Sequence, residues 1–197
     1  MNAARSNAGF SLVEMLVSLT LLGAIMSVVA PLVLESARLN KAQLMRAQVQ
    51  SNARTTLSLV VNTLRTAGWD PRQKGFSPVA LDSDLSDAIN YIVAYADLTA
   101  DGSLTGQDET VTIRQTSGRV EWRRTSNTSD PFDIIGVNIT NDANGDGTAE
   151  QMFIPDSTSN PTRITVRVTA ASPAPDPTTK QTIRYTISSD VMLRNAD

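Results

Sequence analysis

The 197-residue chain contains no cysteine and no histidine. Without cysteine, no disulfide can cross-link the fold and no thiolate can bind a metal ion or attack a substrate. Without histidine, the chain lacks the commonest general base and the commonest transition-metal ligand. The sequence also contains no nucleophile motif, no phosphate-binding glycine loop and no paired-carboxylate signature. We therefore expect that this protein is not an enzyme.

Basic clusters are also absent. The chain has 17 lysines and arginines against 20 aspartates and glutamates, a net charge of −3. A protein that binds nucleic acid through its phosphates needs a concentrated positive surface, which no run of this sequence supplies. We therefore expect no nucleic-acid partner.

One long apolar run is present near the N-terminus. Residues Phe10–Leu34 contain a single ionisable side chain, Glu14. As a helix this run is long enough to cross a bilayer core of about 30 Å. A glutamate inside such a helix costs about 3 kcal/mol unless it finds a partner, so Glu14 is a candidate functional residue. A position at the headgroup level is the alternative explanation for Glu14.

The residues around Glu14 carry a recognisable pattern. Gly9 to Glu14 read G-F-S-L-V-E after a short leader whose only charged side chain is Arg5. This pattern resembles the cleavage and methylation signature of type IV prepilins and pseudopilins. Gly23 and Pro31 match positions where many helices of this family carry helix-weakening residues.

The resemblance implies a specific processing pathway. A membrane peptidase would cut between Gly9 and Phe10 and methylate the new amino group of Phe10. Glu14 would then pair with the N-terminal amine of a neighbouring subunit and set its register during assembly. The implied partners are other pilin subunits, the prepilin peptidase, an inner-membrane assembly platform and membrane lipid. The protein would cross the inner membrane once, with its globular domain outside the cytoplasm, and then move to a pilus or the cell surface.

The helix is predicted to continue beyond the membrane. Steps of three and four residues separate the apolar residues of one stripe, which are Ala42, Met45, Val49, Ala53, Leu57, Val60, Leu64 and Ala67. We predict one helix from Phe10 to Ala67, with Gly68 as its C-cap. The stretch Leu64–Trp69 resembles the R-x-A-G-aromatic helix end of PilW-like minor pilins. Pro31 is expected to kink the helix.

Beyond Gly75 the sequence indicates a β-rich domain. Alternating apolar and polar residues predict strands at Thr110–Gln115, Arg119–Arg123, Arg163–Thr169 and Thr182–Ile187, with weaker candidates at Ile92–Tyr95, Phe132–Ile139, Gln151–Ile154 and Asp190–Leu193. A helical turn is predicted within Val79–Ala88, and an exposed proline-rich loop within Ala171–Lys180. The fold class is α+β, type IV pilin-like, with the long helix packed on an antiparallel sheet. The expected segments are a leader (1–9), a transmembrane half-helix (10–34), an amphipathic half-helix (35–68) and a globular domain (69–197).

Two acidic loops have the oxygen-ligand spacing of calcium-binding loops. The expected ligands are Asp97, Thr99, Asp101 and Asp108 in the first loop and Asp142, Asn144, Asp146 and Glu150 in the second. Hard oxygen ligands without histidine or cysteine favour Ca²⁺ over Zn²⁺. Ordinary surface turns have the same composition, so calcium remains one of two alternatives.

Three functions are compatible with these features. The first is a minor pilin-like structural subunit of a type IV pilus. The second is a pseudopilin of a type II secretion system, which would carry the same leader. The third is a Ca²⁺-dependent adhesin at a filament tip, for which only the acidic loops provide support. The leader does not distinguish the first two, whereas the helix-end motif favours the first.

Overall fold

The computed structural model describes residues 11–81, 90–116 and 118–194. It begins with one continuous helix, α1, over Leu12–Thr66. At 1.5 Å per residue this helix is about 80 Å long. Gly23 and Pro31 both lie inside it. Phe10, the predicted first residue, lies outside the described residues.

The helix α1 has a projecting half and a packed half. Every residue from Ser11 to Lys41 is exposed, and the first buried residue is Ala42. From there the predicted stripe is confirmed, except that Met45 is only half-buried. Thr56 and Val61 are also buried on this face, although the spacing did not predict them. The extra width arises because two separate sheets pack against the helix.

Within the described ranges, eight antiparallel strands form these two sheets. The first sheet has the order β1-β2-β3-β4-β5, with β1 at Val79–Leu81, β2 at Tyr91–Tyr95, β3 at Thr110–Thr116, β4 at Arg119–Arg123 and β5 at Asp133–Val137. The second has the order β6-β7-β8, with β6 at Phe153–Pro155, β7 at Arg163–Ala171 and β8 at Arg184–Met192. Nothing in the alternation of apolar and polar residues indicated the division into two sheets.

A short segment after β5 connects the two sheets. Ile139 forms an isolated bridge with Ala170, and the Thr140 amide donates to the Thr169 carbonyl at 2.9 Å. The helix α1 packs on β7 and β8 and also contacts β5 and β2. One apolar core therefore extends beneath the helix across both sheets. This arrangement is the type IV pilin-like α+β fold.

The prediction for Val79–Ala88 needs correction. The predicted helical turn within Val79–Ala88 begins as strand β1, because Val79 and Leu81 pair with Ala94 and Ile92 of β2. Residues 82–88 of that range lie outside the described residues.

The proline-rich loop is exposed at most of its residues, but Asp176 is only 1% exposed. Its carboxylate accepts hydrogen bonds from the Thr178 amide at 2.7 Å and from the Arg46 guanidinium at 3.0 Å. These bonds hold the pKa of Asp176 below its ordinary value, chiefly through the Thr178 amide. A buried charge with such partners attaches the loop to the helix, which the proline content alone could not indicate.

Candidate functional site

The projecting half of α1 has the dimensions of a membrane span. Its most apolar 18-residue window has a mean hydropathy of 2.3 and no buried residue. Residues 12–34 extend about 34 Å, slightly more than a hydrocarbon core of about 30 Å. By length and composition, this helix can cross a bilayer.

Polar side chains within residues 12–34 are few. Three hydroxyls bond to carbonyl oxygens of the preceding helical turn: Ser18 to Glu14 at 2.8 Å, Thr20 to Val17 at 2.8 Å and Ser27 to Ala24 at 2.7 Å. These hydroxyls therefore expose no unsatisfied donor to lipid. Within the described chain, the Glu14 carboxylate has no hydrogen bond or ion pair. It remains the one group in this segment that needs an external partner.

The other residues of the expected processing and assembly site fall into two groups. Gly9 and Phe10 lie outside the described residues. Gly23 and Pro31 lie in the exposed half of the helix, and a methyl group added at Gly23 would meet no atom within 4 Å. The helix surface at Gly23 is therefore free for contact with a neighbouring molecule.

The comparisons with known proteins concern this same segment. Residues 4–30 match the prokaryotic N-terminal methylation motif. No curated protein and no solved structure matches the chain. The matched range includes Gly9, Phe10 and Glu14. The match and the fold support a subunit of the type IV prepilin or pseudopilin type, processed by a prepilin peptidase and anchored in a membrane before assembly with other subunits.

The first acidic loop brings three carboxylates together. Oxygen atoms of Asp97, Asp101 and Glu109 lie within 4.8 Å of one another. The Asp97 carboxylate accepts the amides of Asp101 at 3.1 Å and Gly102 at 2.9 Å, because the loop closes over it. Asp97 and Glu109 are fully buried, whereas Asp101 is exposed. The loop therefore places two buried carboxylates, those of Asp97 and Glu109, next to the solvent-exposed carboxylate of Asp101.

Glu109 is the best-held member of this cluster. It accepts the Thr99 hydroxyl at 2.7 Å, the Thr99 amide at 2.9 Å and the Gly106 amide. These bonds, led by the Thr99 hydroxyl, lower the pKa of Glu109 from its ordinary value. A methyl group at Gly106 would overlap the Glu109 carboxylate, so only glycine leaves room for this contact. The pKa of Asp101 is also lowered, chiefly by the Ser103 amide.

Two expected ligands of the first loop have other roles. Asp108 pairs with Arg124 at 3.3 Å, and Thr99 donates its hydroxyl to Glu109. The carboxylate that closes the loop belongs instead to Glu109, one residue beyond the expected position twelve. Glu109 was not predicted from the sequence, because the calcium-loop pattern places its last ligand at position twelve, which is Asp108. The signal that could have found it is the acid pair Asp108-Glu109 directly before a strand.

The second acidic loop is held by arginines. Asp142 accepts the amides of Gly145 at 2.6 Å and Gly147 at 3.1 Å, and lies 3.6 Å from Arg184. Glu150 pairs with Arg167 at 2.9 Å. Asn144 donates to Asp146 at 2.9 Å, and the Thr148 amide lowers the pKa of Asp146. Its acids do not converge as those of the first loop do.

The two loops therefore differ in their fit to a calcium ion. Each carboxylate oxygen can accept more than one bond, so the amide bonds of the first loop leave acceptor capacity for a cation. Among the described residues, no lysine or arginine forms an ion pair with Asp97, Asp101 or Glu109. In the second loop, Arg184 and Arg167 already neutralise Asp142 and Glu150. The first loop fits a hard cation better than the second.

Proposed function

We propose that this chain is a minor pilin-like structural subunit of a type IV pilus, most similar to the PilW-like group. The observation that carries the proposal is the exposed apolar half of α1, inside the segment that matches the methylation motif. Its one carboxylate, Glu14, has no partner among the residues that the structure describes. Cleavage after Gly9 would place a positive amine on Phe10, only four residues from Glu14. A neighbouring subunit in the correct register would bring its own amine to this carboxylate.

Charge pairing in the apolar phase supports this role for Glu14. An unpaired carboxylate in a low dielectric is strongly disfavoured, whereas a close opposite charge offsets much of that cost. A subunit docked in the wrong register would leave both charges unpaired. Glu14 therefore acts as a determinant of register and not as a catalyst. Gly23 and Pro31 would provide local weak points at which the helix can adapt to its neighbours.

Substituting Glu14→Gln tests the assembly role directly. We expect normal cleavage after Gly9 and normal membrane insertion, but at least about a tenfold lower share of the protein in the assembled fraction, since a neutral amide loses the charge pairing. The matched control is Glu35→Gln on the same helix, where Glu35 pairs with Arg38 at the exposed surface. The readouts are the mass of the N-terminal peptide and the protein content of sheared filaments.

Two results would contradict this proposal. A Glu14→Gln protein that assembles as well as the Glu35→Gln control would remove the register role. A native N-terminal peptide that retains residues 1–9 would show a plain membrane anchor. Recovery in sheared surface filaments supports the pilus, whereas recovery only in an envelope complex with secretion components supports a type II secretion pseudopilin.

We also propose that the first acidic loop binds Ca²⁺ through Asp97, Asp101 and Glu109. Extracellular calcium sites commonly have dissociation constants of about 0.1–1 mM, and binding to the folded state alone raises the melting temperature. We expect millimolar Ca²⁺ to raise the melting temperature of the full chain, and Asp101→Asn to abolish the shift. Asp146→Asn in the second loop is the matched control and should retain it. An unchanged melting temperature at 10 mM Ca²⁺ (about ten times the weakest of these constants) would refute the site.

A further inference from the structure

The strand β8 is the outermost strand of the three-stranded sheet. It pairs with β7 through nine consecutive residue pairs, from Ala171 with Arg184 to Arg163 with Met192, without a register shift. No described strand pairs with the other side of β8. Among the described residues, one long edge of this strand is therefore unpaired.

The hydrogen bonds of β7 show which residues form the open edge. The Arg167 amide donates to the Met152 carbonyl at 2.8 Å, and the Thr169 carbonyl accepts the Thr140 amide at 2.9 Å. Both residues thus direct their backbone groups away from β8. In an antiparallel pair, the residues opposite them, Ser188 and Thr186, must also point outward. By alternation, the outward residues of β8 are Arg184, Thr186, Ser188, Asp190 and Met192.

These five residues form a regular row of free backbone groups. Within the part of the chain that the structure describes, none of their outward amides or carbonyls has a hydrogen-bond partner. Their side chains are largely engaged on the sheet surface, as Thr186 bonds to Thr169 at 2.8 Å and Asp190 to Thr165 at 2.6 Å. The groups that remain available for hydrogen bonding are therefore the backbone amides and carbonyls of alternate residues, which repeat about every 6.8 Å along the strand.

The other sheet edges have protective features that β8 lacks. Strands β1 and β6 contain three residues each, and the pairing of β5 is interrupted by a bulge. The nine residues of β8 contain no proline. The side chains of Tyr185, Ile187 and Val191, which face the apolar core, carry no charge. Proteins normally block a long, regular edge because it recruits other strands. An edge left open in this way favours the addition of a strand from outside.

The orientation of β8 limits which strand can bind. The Tyr185 ring lies 5.9 Å from the Arg54 guanidinium, and beyond the strand the Arg194 amide donates to the Ala67 carbonyl at 3.4 Å. Strand β8 therefore runs in the same sense as α1, away from the membrane. Antiparallel pairing of two β8 strands would require their helices to point in opposite directions. Two copies anchored in one membrane do not meet this condition and could pair their β8 strands only in parallel, the slightly less stable arrangement, which favours a strand from a different chain.

We propose that an extended segment of a different subunit adds to β8 as a fourth strand when this protein assembles. The added strand bonds to the outward backbone groups of Arg184, Thr186, Ser188, Asp190 and Met192, the β-augmentation mode of recognition. This proposal rests on the proposed assembly function for the source of the strand. The added strand would provide a second contact between subunits, outside the membrane, besides the proposed contact through Glu14.

Amide hydrogen exchange tests the proposed contact. The full-length protein is compared in membranes of cells that carry all its native partners and in membranes where it is expressed alone. We expect the amides of Thr186, Ser188 and Asp190 to exchange at least about 100-fold more slowly with the partners present. The amides of Tyr185, Ile187 and Ser189 donate to β7 and serve as internal controls that are protected in both samples. Equal, fast exchange of the three edge amides in both samples would overturn the proposal.

A proline substitution distinguishes binding through the backbone of β8 from binding through its side chains. Ser188→Pro removes an outward amide that the β7–β8 ladder does not use, a position where an edge strand tolerates proline. It should abolish the added protection at Thr186 and Asp190, whereas Ser188→Ala should retain it. If Ser188→Pro also exposes Tyr185 and Ile187, the strand itself has been disrupted, and the wild-type comparison decides.

Two further outcomes have distinct meanings. Protection that arises when the protein is expressed alone would indicate self-association and would overturn the assignment to a different chain. The N-terminal peptide is measured in the same samples. Cleavage after Gly9 with no edge protection refutes only the β8 proposal, whereas an uncleaved leader refutes the proposed function.

Discussion

Gly68 connects the long helix to the globular part at a point of very close packing. The helix is capped by Ala67, so Gly68 is the first residue beyond the cap and not the C-cap that its sequence position predicted. It adopts a φ of +80°, and its amide donates to the Tyr95 carbonyl at 2.8 Å. A methyl group at Gly68 would overlap the backbone of Arg194. Both the conformation and the contact therefore require glycine.

Substituting Gly68→Ala should destabilise the fold by about 3 kcal/mol or more, since backbone strain and steric overlap act together. Gly118→Ala is the matched control. Gly118 has a similar φ of +79°, but a methyl group there meets no atom within 4 Å. Strain alone should cost the control about 1–2 kcal/mol. Urea unfolding of the full chain, followed by tryptophan fluorescence, measures both. Equal losses in the two variants would show that the Arg194 contact contributes nothing.

At the scale of single elements, the burial of the stripe of α1 predicts how much the free energy of unfolding falls when one of its side chains is shortened. Leu64 is fully buried and Leu44 is 71% exposed, although both lie on the same helix. Leu64→Ala should lower the free energy of unfolding by about 2–5 kcal/mol, through lost burial and the cavity left behind. Leu44→Ala should change it by less than about 0.5 kcal/mol. A loss below about 1 kcal/mol for Leu64→Ala would show that the contact between helix and sheets is not a packed core.

Elements with a strong local period were predictable from the sequence. The stripe from Ala42 to Leu64 and the alternation in β3, β4 and β7 gave their positions to within a few residues, because each signal depends only on neighbours along the chain. The short strand β1 was not predictable. Its three residues carry no period, and it forms because β2 provides a partner.

Features that depend on contacts distant in sequence were also missed. Thr56 is buried because strand β5 approaches the helix at Gly136, where a methyl group would come within 2.9 Å of the Thr56 methyl carbon. Glu109 closes the first acidic loop through amides that only the folded loop brings to it. The open edge of β8 is defined by the order of strands, which alternation does not encode. The expected roles of Gly9, Phe10 and Glu14 remain predictions from the motif.

On the scale of the whole molecule, several carboxylates of the globular part are held ionised by hydrogen bonds. The pKa values of Asp101, Glu109, Asp146, Asp156 and Asp176 all lie below their ordinary values. In Asp156 the leading cause is the Thr162 hydroxyl, which lies 2.6 Å away. These groups lie in loops around the domain and not at one site. Their effect on stability is therefore global.

The direction of these shifts predicts how stability depends on pH. When the folded-state pKa is depressed, the unfolded chain binds protons first as the pH falls, so the free energy of unfolding decreases. The stabilisation is fully present above the ordinary values of 4.5 for glutamate and 3.8 for aspartate. It is lost as the pH falls through the lower folded-state values. We therefore expect constant stability between about pH 5 and pH 7 and a progressive decline below about pH 4.5.

Substituting Glu109→Gln tests this origin of the acid sensitivity. Glutamine keeps the shape and can still accept from Thr99, but it cannot ionise and it directs an amide group toward the Gly106 amide. The variant should be less stable than the wild type at pH 7, and the difference should shrink as the pH falls from 4.5 to 3, because protonation removes the same charge from the wild type. The measurement is urea unfolding of the full chain at a series of pH values, with Asp108→Asn as the control one residue away. A difference that stays constant with pH would mean that Glu109 stabilises the loop through its shape and not through its charge.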